Sequence, residues 1–302
     1  MTNHHHIFGL NITSAIPLPA APVQQPQSIN VPDVTIEYGD TPHSLPNPLF
    51  KGVRFQTVPG ELLLRVDGIA RYHVRNGSRV TITPDKGASE DDILLFLMGS
   101  AMGALLQQRN ILVLHAGAVE VNGSGIIACG PSGIGKSTLT AGLHRRGYPF
   151  LADDVCAVTL HDGHPAVVPG FPRLKLWSDV LRRLEMDRKG LKSVRWDGDL
   201  EKYFLPVENT PRPPVPVRSV FILETTNTDR MEITPLQGAE KINPIIHNTY
   251  RRRFLRGLGG KADHFKQCAA VAAEADVCRV IRPKKKFLLD EMMDLVESRL
   301  LS

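Results

Sequence analysis

Between residues 31 and 84 apolar and polar positions alternate in short runs, as in "VTIEYG" and "VRFQTVPGELLLRVDGIARYHVRNGSRVTITP". A period of two turns one face of a strand inward and the other toward water. Turn signals stand at Pro59-Gly60, Asp67-Gly68 and Asn76-Gly77, and the last two suit tight hairpins. Residues 7 to 14 read as a first strand. The stretch "AIPLPAAPVQQPQSINVP" that follows is a Pro/Gln-rich connector that excludes a regular helix. The expectation is a small antiparallel β module over residues 1–88. At Ser89 the pattern changes: Ser89-Glu90-Asp91-Asp92 places acids at the positive end of a helix that reaches about Gln108, and "ILLFLMGSAMGALLQQ" makes that helix mostly buried.

From about residue 111 short apolar runs alternate with helical spacing, which predicts an α/β domain over residues 89–302. Gly125 to Cys129 is suited to a buried strand, and Ser137 to Arg146 to a helix with Leu139 and Leu143 inward and Gly147 at its end. A short strand is expected at Phe150-Leu151-Ala152 and a helix at Ser178 to Leu184. A polar, turn-rich region lies near 187 to 200, followed by the Pro-rich loop "TPRPPVPVR". "SVFILE", residues 219 to 224, reads as another buried strand. Residues 240 to 300 read as helices, ending in the amphipathic "FLLDEMMDLVESRLL". No internal repeat is present.

Between the first strand and helix of this domain, Gly130-Pro131-Ser132-Gly133-Ile134-Gly135-Lys136-Ser137 fits G-x-x-x-x-G-K-[ST], the Walker A phosphate loop, at every fixed position. Glycines let the backbone curl so that N–H groups and the positive helix end face an anion. Gly130, Ser132, Gly133, Ile134, Gly135, Lys136, Ser137 and Thr138 are therefore the candidate ATP contacts. Lys136 is placed at the β/γ-phosphates and the Ser137 hydroxyl at Mg²⁺. A plain Gly-rich turn is the competing reading, and the flanking strand and helix weigh against it. Asp153 and Asp154 stand seventeen residues beyond Lys136 (153 − 136), room for about three helical turns and a return strand. If the two strands are parallel neighbours, both carboxylates return to the sheet edge where α/β proteins place ligands. One acid can hold Mg²⁺ and the other can take a proton from an attacking hydroxyl. Either alone could instead cap a turn. Glu224, at the tip of its strand, is the competing carboxylate for a water-activating ATPase.

At these residues the chain resembles the HPr kinase/phosphorylase family, and more closely its shorter relatives from peptide natural-product and polysaccharide gene clusters. In "VLHAGAVEVNGSGIIACGPSGIGKST" His115 precedes Lys136 at the family's spacing, and Ala152-Asp153-Asp154 stands where the family has "ADD". "IFGLNITSAIPLPA" is similar to the relatives' opening. The resemblance implies a P-loop kinase core of the HPr kinase/phosphoenolpyruvate carboxykinase type and ATP-dependent phosphorylation of a serine or other hydroxyl. It makes one of Asp153 and Asp154 the general base and puts the other with Ser137 near the metal, here taken as Asp153 for the base and Asp154 for the metal, and it sets His115 beside the transferred phosphoryl group. The family's "L-E-x-R-G-x-G" signature is missing; "VPGFPRLKLWSDVL" stands there instead, which argues against phosphorylase activity and against HPr as substrate. Arg173 and Lys175, two apart on an extended segment, would point to one face and neutralise phosphoryl charge. The implied acceptor is a serine on a peptide or small protein, a lasso-peptide precursor by analogy. The larger relatives are hexamers, which leaves a homo-oligomer open. A P-loop ATPase using Glu224, or a non-catalytic nucleotide-binding regulator, are the alternatives.

Composition changes this picture little. The chain has 302 residues, 42% of them hydrophobic, a net charge of +5 and few aromatics. Its basic clusters, Arg251 to Arg253 and Lys284 to Lys286, lie apart, so nucleic-acid binding is not expected. Four cysteines, Cys129, Cys156, Cys268 and Cys278, lack C-x-x-C spacing and read as small buried residues of a reducing compartment. No apolar run approaches the roughly eighteen residues that span a bilayer. The N-terminal stretch lacks a signal-peptide pattern, so a cytoplasmic protein without membrane contact is expected. His4, His5 and His6 are discounted as metal ligands, being set at a mobile terminus without partners.

Overall fold

The computed structural model describes residues 2–18, 31–194, 201–208, 212–284 and 286–301. Most of the Pro/Gln-rich connector, the end of the polar turn region, the start of the Pro-rich loop and Lys285 lie outside the described residues. The protein is mixed α/β and divides into two compact units, residues 1–113 with 250–265 and residues 114–249 with 266–302. The boundary expected after residue 88 falls inside the first unit, because the helix that follows packs there: the buried Tyr72 hydroxyl donates to Ile93 O at 2.9 Å.

In the first unit, strands β1 (Asn3–Ile7), β2 (Leu10–Ser14), β3 (Val34–Tyr38), β4 (Phe50–Lys51), β5 (Phe55–Val58), β6 (Glu61–Val66), β7 (Ala70–Arg75) and β8 (Arg79–Pro84) form one sheet in the order β1-β2-β3-β8-β7-β6-β5-β4. Residues 7 to 14 are not a single strand. Phe8 and Gly9 take φ of 54° and 70°, and Ile7 pairs with Leu10, the signature of a two-residue hairpin turn. His4 to His6 lie within β1 and His5 is buried, so this end is a paired strand rather than a mobile terminus. Nor is the sheet purely antiparallel: β2 with β3 and β3 with β8 pair in parallel, which the long connector before β3 permits. Of the three expected turns only Pro59-Gly60 is a two-residue one, Val58 opposing Glu61 with Gly60 at φ 73°, whereas Asp67-Gly68 and Asn76-Gly77 each sit in a three-residue loop.

The helix after Ser89 forms as expected, with Ser89 Oγ accepting from Asp92 N at 3.1 Å. It runs as α1 (Glu90–Phe96), a wide π turn at Leu97–Ala101, and α2 (Met102–Gln108). Tyr250 lies against Gly103, where a Cβ would stand 2.7 Å from its ring.

The second unit contains β9 (Leu112–Leu114, which leads into it), β10 (Ala116–Val121), β11 (Ser124–Cys129), α3 (Lys136–Arg145), β12 (Phe150–Ala152), β13 (Cys156–His161), β14 (His164–Val168), β15 (Arg173–Trp177), α4 (Ser178–Arg183), β16 (Lys192–Ser193), β17 (Lys202–Pro206), β18 (Val215–Thr226), β19 (Glu232–Pro235), α5 (Ile242–His247), α6 (Lys261–Glu274, whose residues up to Phe265 belong to the first unit), β20 (Asp276–Pro283) and α7 (Leu289–Leu301). Its main sheet runs β12-β10-β11-β18-β14-β13, with β20 parallel to β18 and antiparallel to β19. β11 and β12 are therefore not neighbours. Both pair antiparallel with β10 between them, so they run the same way and end at the same edge.

The parallel neighbour of β11 is β18. Residues 240 to 300 are not all helical: "DVCRVIRP" is a β-branched run that becomes β20 beside β18, because strand pairing there outweighs the helical signal around it. One face of the main sheet is closed by α3 and α7, whose Leu139, Leu143, Met293 and Val296 share a buried cluster with Phe221 and Val280. Gly117 and Gly142 allow the close approach: a Cβ on Gly117 would stand 2.1 Å from Thr140 Oγ1, and one on Gly142 2.6 Å from Met293 Sδ. Among the described residues no helix is long and apolar enough to cross a membrane.

Candidate functional site

β11 ends at Cys129 and α3 begins at Lys136, so residues 130–135 form the turn between strand and helix that the glycine spacing predicts. Gly130 has φ 145°, and a Cβ there would stand 2.8 Å from Leu223 O, so the chain can pass β18 only as glycine. Gly133 and Gly135 take φ of 80° and 109°. Lys136 is buried, and its Nζ donates to Gly130 O at 2.8 Å and to Pro131 O at 3.0 Å, arching over the loop. Burial pulls its pKa down while Asp154 works against that shift. Of the remaining predicted loop residues, Ser132 and Gly133 are exposed, Ile134 is buried, and Ser137 and Thr138 are half-buried.

The two aspartates follow β12 directly and meet different partners. Asp153 accepts from Ser137 Oγ at 2.8 Å with Oδ1 and from Lys175 N at 2.8 Å with Oδ2. Asp154 Oδ2 accepts from Lys175 Nζ at 2.9 Å, and its Oδ1 lies 3.1 Å from His115 Nδ1. The backbone helps to separate them. Asp154 has φ 70° and Val155 N donates to Asp153 O at 2.9 Å, a γ-turn with its central residue in the left-handed region. Such strain persists where surrounding structure holds it, and it gathers at functional sites. Burial raises the Asp153 pKa, and the bonds from Lys175 and Ser137 only partly offset this. For Asp154 burial also acts upward, yet the Lys175 charge and the His115 contact outweigh it and hold the carboxyl well below its usual range.

Arg173 and Lys175 do share a face, as their spacing implies. They lie half-buried on β15 and alternate with the buried Leu174 and Leu176. Lys175 reaches the aspartates, whereas the Arg173 guanidinium lies over the rings of Phe204 at 4.2 Å and Phe171 at 5.6 Å. The structure thus gathers His115, Lys136, Ser137, Asp153, Asp154 and Lys175 at one sheet edge, with Arg173 two residues along β15 from Lys175.

Sequence reading missed three participants. Arg282 on β20 donates to Ile134 O from Nε at 3.2 Å and from a terminal nitrogen at 2.7 Å, gripping the loop. Phe204 and Lys202 on β17 stand opposite Lys175 and Trp177. The only signal for Arg282 was a basic residue ending a β-branched run. Nothing local marked Lys202 or Phe204, since strand register places them. Glu224 stands near the tip of β18, where Arg279 Nε donates to it at 3.1 Å. All four cysteines are reduced and buried, and burial pushes the Cys129 thiol up to about 12, which makes it inert at neutral pH.

A segment of 71 residues, 24% of the chain, is 39% identical to HPr kinase/phosphorylase from Lactobacillus acidophilus and spans 21% of that protein. The chain thus matches about a fifth of its curated relative's length. The solved HPr(Ser) kinase/phosphatase of Coxiella burnetii aligns over 63% of this chain and 90% of its own, at 16% identity and a TM-score of 0.33. No protein-family model matches.

Proposed function

We propose, on the premise that this chain is HPr kinase-like, that it transfers the γ-phosphoryl group of ATP to a hydroxyl, most simply a serine on a peptide or small protein. The observation that carries this reading is the pairing of Ser137 with Asp153 and of Asp154 with Lys175 and His115 beside one phosphate-loop turn. Hydrolysis of ATP needs one carboxylate to orient water. Transfer to an alcohol also needs a proton acceptor next to a held metal.

The donor set suits Mg²⁺, which takes one or two carboxylates and completes its shell with phosphate oxygens and water. Among the described residues no group of three or more His, Cys, Asp or Glu could hold a metal, so the fit is to an ion that arrives with the nucleotide. Ser137 and Asp154 would hold it, and when bound it neutralises phosphate charge. Loop N–H groups and Lys136 bind the phosphates; Arg282 keeps the loop in place through Ile134 O.

Asp153 suits the base. Burial raises its affinity for a proton, and Lys175 N fixes its orientation. Asp154 remains anionic beside Lys175, which suits a cation ligand. His115 orients Asp154 through the carboxylate oxygen that Lys175 does not take. A lasso-peptide precursor as acceptor, a cytoplasmic setting and a homo-oligomeric state remain proposals that rest on analogy with the family.

A second reading rests on β18 being the parallel neighbour of β11, which gives Glu224 the strand position of a water-activating acid. Its pairing with Arg279 and its absence from the Ser137–Asp153 cluster weigh against it. The test is intact-mass analysis of serine-containing peptides incubated with the protein, Mg²⁺ and ATP. A gain of one phosphate that is absent with Lys136→Ala supports the kinase. ADP release without any phosphopeptide, lost in Glu224→Gln, supports the ATPase.

A further inference from the structure

Three strands of the second unit, in the order β15-β17-β16, form a small sheet apart from the main one. Directly opposed residues share a face of such a sheet. Lys175 opposes Phe204, Trp177 opposes Lys202, and Lys192 also opposes Phe204. One face therefore carries Arg173, Lys175, Trp177, Lys202, Phe204 and Lys192, while Leu174 and Leu176 on the other are buried in the core. The ring contacts confirm the grouping: Arg173 over Phe204 at 4.2 Å, Lys175 over Phe204 at 5.8 Å and Lys202 over Trp177 at 4.3 Å.

Lys202 adds a cation to this face beyond Lys175, which the aspartates engage. Lys175 is paired with Asp154. Lys202 makes no ion pair among the described residues and is half-buried against Trp177. Burial first and then Lys175 pull the Lys202 pKa down, against the upward pull of Asp154 and Asp153, a cost that a bound anion would relieve. Distance matters as well. Two residues along a strand cover about 7 Å, so Arg173 and Lys202 carry the positive face well past Lys175 in both directions, farther than one phosphoryl group extends. The phosphates have their own cradle in the loop N–H groups and Lys136. The flat rings of Trp177 and Phe204 line the same track, which suits an extended segment of chain.

We infer that the Arg173–Lys202 face is the acceptor-binding platform and selects a peptide that carries carboxylates beside its target serine. This rests on the kinase reading for the word acceptor, but the preference for acidic over neutral peptide is a property of the face alone. The platform cations contact substrate in this account, Lys202 as a specificity residue and not as part of the transfer step.

The test uses the full chain and two synthetic heptapeptides that share one central serine and differ only in its flanking residues, Asp in one and Asn in the other. Binding of each is measured by calorimetry with a non-hydrolysable ATP analogue and Mg²⁺ present, and the phosphorylated product is measured separately with ATP. The expected result is at least tenfold tighter binding of the Asp peptide, an advantage that falls below threefold in Lys202→Gln while affinity for the ATP analogue changes less than twofold. Lys202→Arg should retain the advantage, which separates lost charge from lost fold. Equal binding of the two peptides, failure of both to bind, or an advantage that survives Lys202→Gln overturns the proposal. Lys202→Gln weakening the nucleotide instead would assign the face to the triphosphate and overturn it too. Acidic-peptide binding with no phosphopeptide formed sinks the kinase reading and leaves this one standing. Equal phosphorylation of both peptides does the reverse.

Discussion

The phosphate loop with its aspartates and the cationic face beside it are built by different rules. The first is continuous chain: β11, turn, α3, return, β12, with each functional residue placed by its distance along the sequence. The second is assembled across strands. Lys175 and Lys202 are far apart in sequence and share a face only because Trp177 opposes Lys202 and Phe204 opposes Lys175. The aspartates join the two regions: Asp153 takes the loop hydroxyl of Ser137 and the backbone N–H of Lys175, whereas Asp154 takes the Lys175 charge.

The largest effect that would sharpen this division is at Lys136. Lys136→Ala should lower phosphotransfer by about a thousandfold or more, read as phosphopeptide formed per minute, because the proposed function gives this charge to the phosphates. A smaller loss would place the chemistry elsewhere.

Asp153→Asn should follow, with a loss of about a hundredfold to ten-thousandfold. The rate of the unaltered protein should climb through a pKa above the ordinary carboxylate range, since burial raises that of Asp153.

Stability should separate the pair by sign. Asp154 is held well below its usual value, so its contribution is fully present above the unfolded-state pKa of about 3.9 and is lost as pH falls through the lower folded value. Asp154→Asn should therefore cost on the order of 2 kcal/mol at pH 7 in denaturant titration, and the gap should close in strong acid. Asp153 is shifted the other way. Its contribution is present below a pH of about 3.9 and is lost as pH rises through its raised folded value, so Asp153→Asn should gain on the parent protein as pH rises. Two gaps that move in the same direction with pH would break the comparison.

Smaller still, Phe204→Leu removes the ring beneath Arg173 and Lys175 and should weaken acceptor binding by about 0.5–1 kcal/mol with nucleotide affinity unchanged. The least effect belongs to Glu224→Gln, which should alter phosphotransfer less than about twofold, because Glu224 is engaged with Arg279 and stands outside the aspartate cluster.

What the sequence made legible follows the same divide. The strand–turn–helix around Gly130 to Ser137, the return to Asp153 and the Ser89 helix start are local signals, and each formed where its residues indicated. The hairpin at Phe8-Gly9 was missed because Phe rarely takes the φ of 54° that the turn requires. β20 was missed because its β-branched run sits among helix formers and is claimed by pairing with β18. Arg282, Lys202 and Phe204 carry no local mark, since only the strand order gives them neighbours.

The most direct test of the central claim is the ratio of phosphopeptide to ADP in a single incubation with Mg²⁺, ATP and the Asp-flanked serine peptide. The account predicts one phosphopeptide for each ADP, negligible ADP when the peptide is omitted, and neither product with Lys136→Ala. ADP released at the same rate with or without peptide, and abolished by Glu224→Gln, would contradict it.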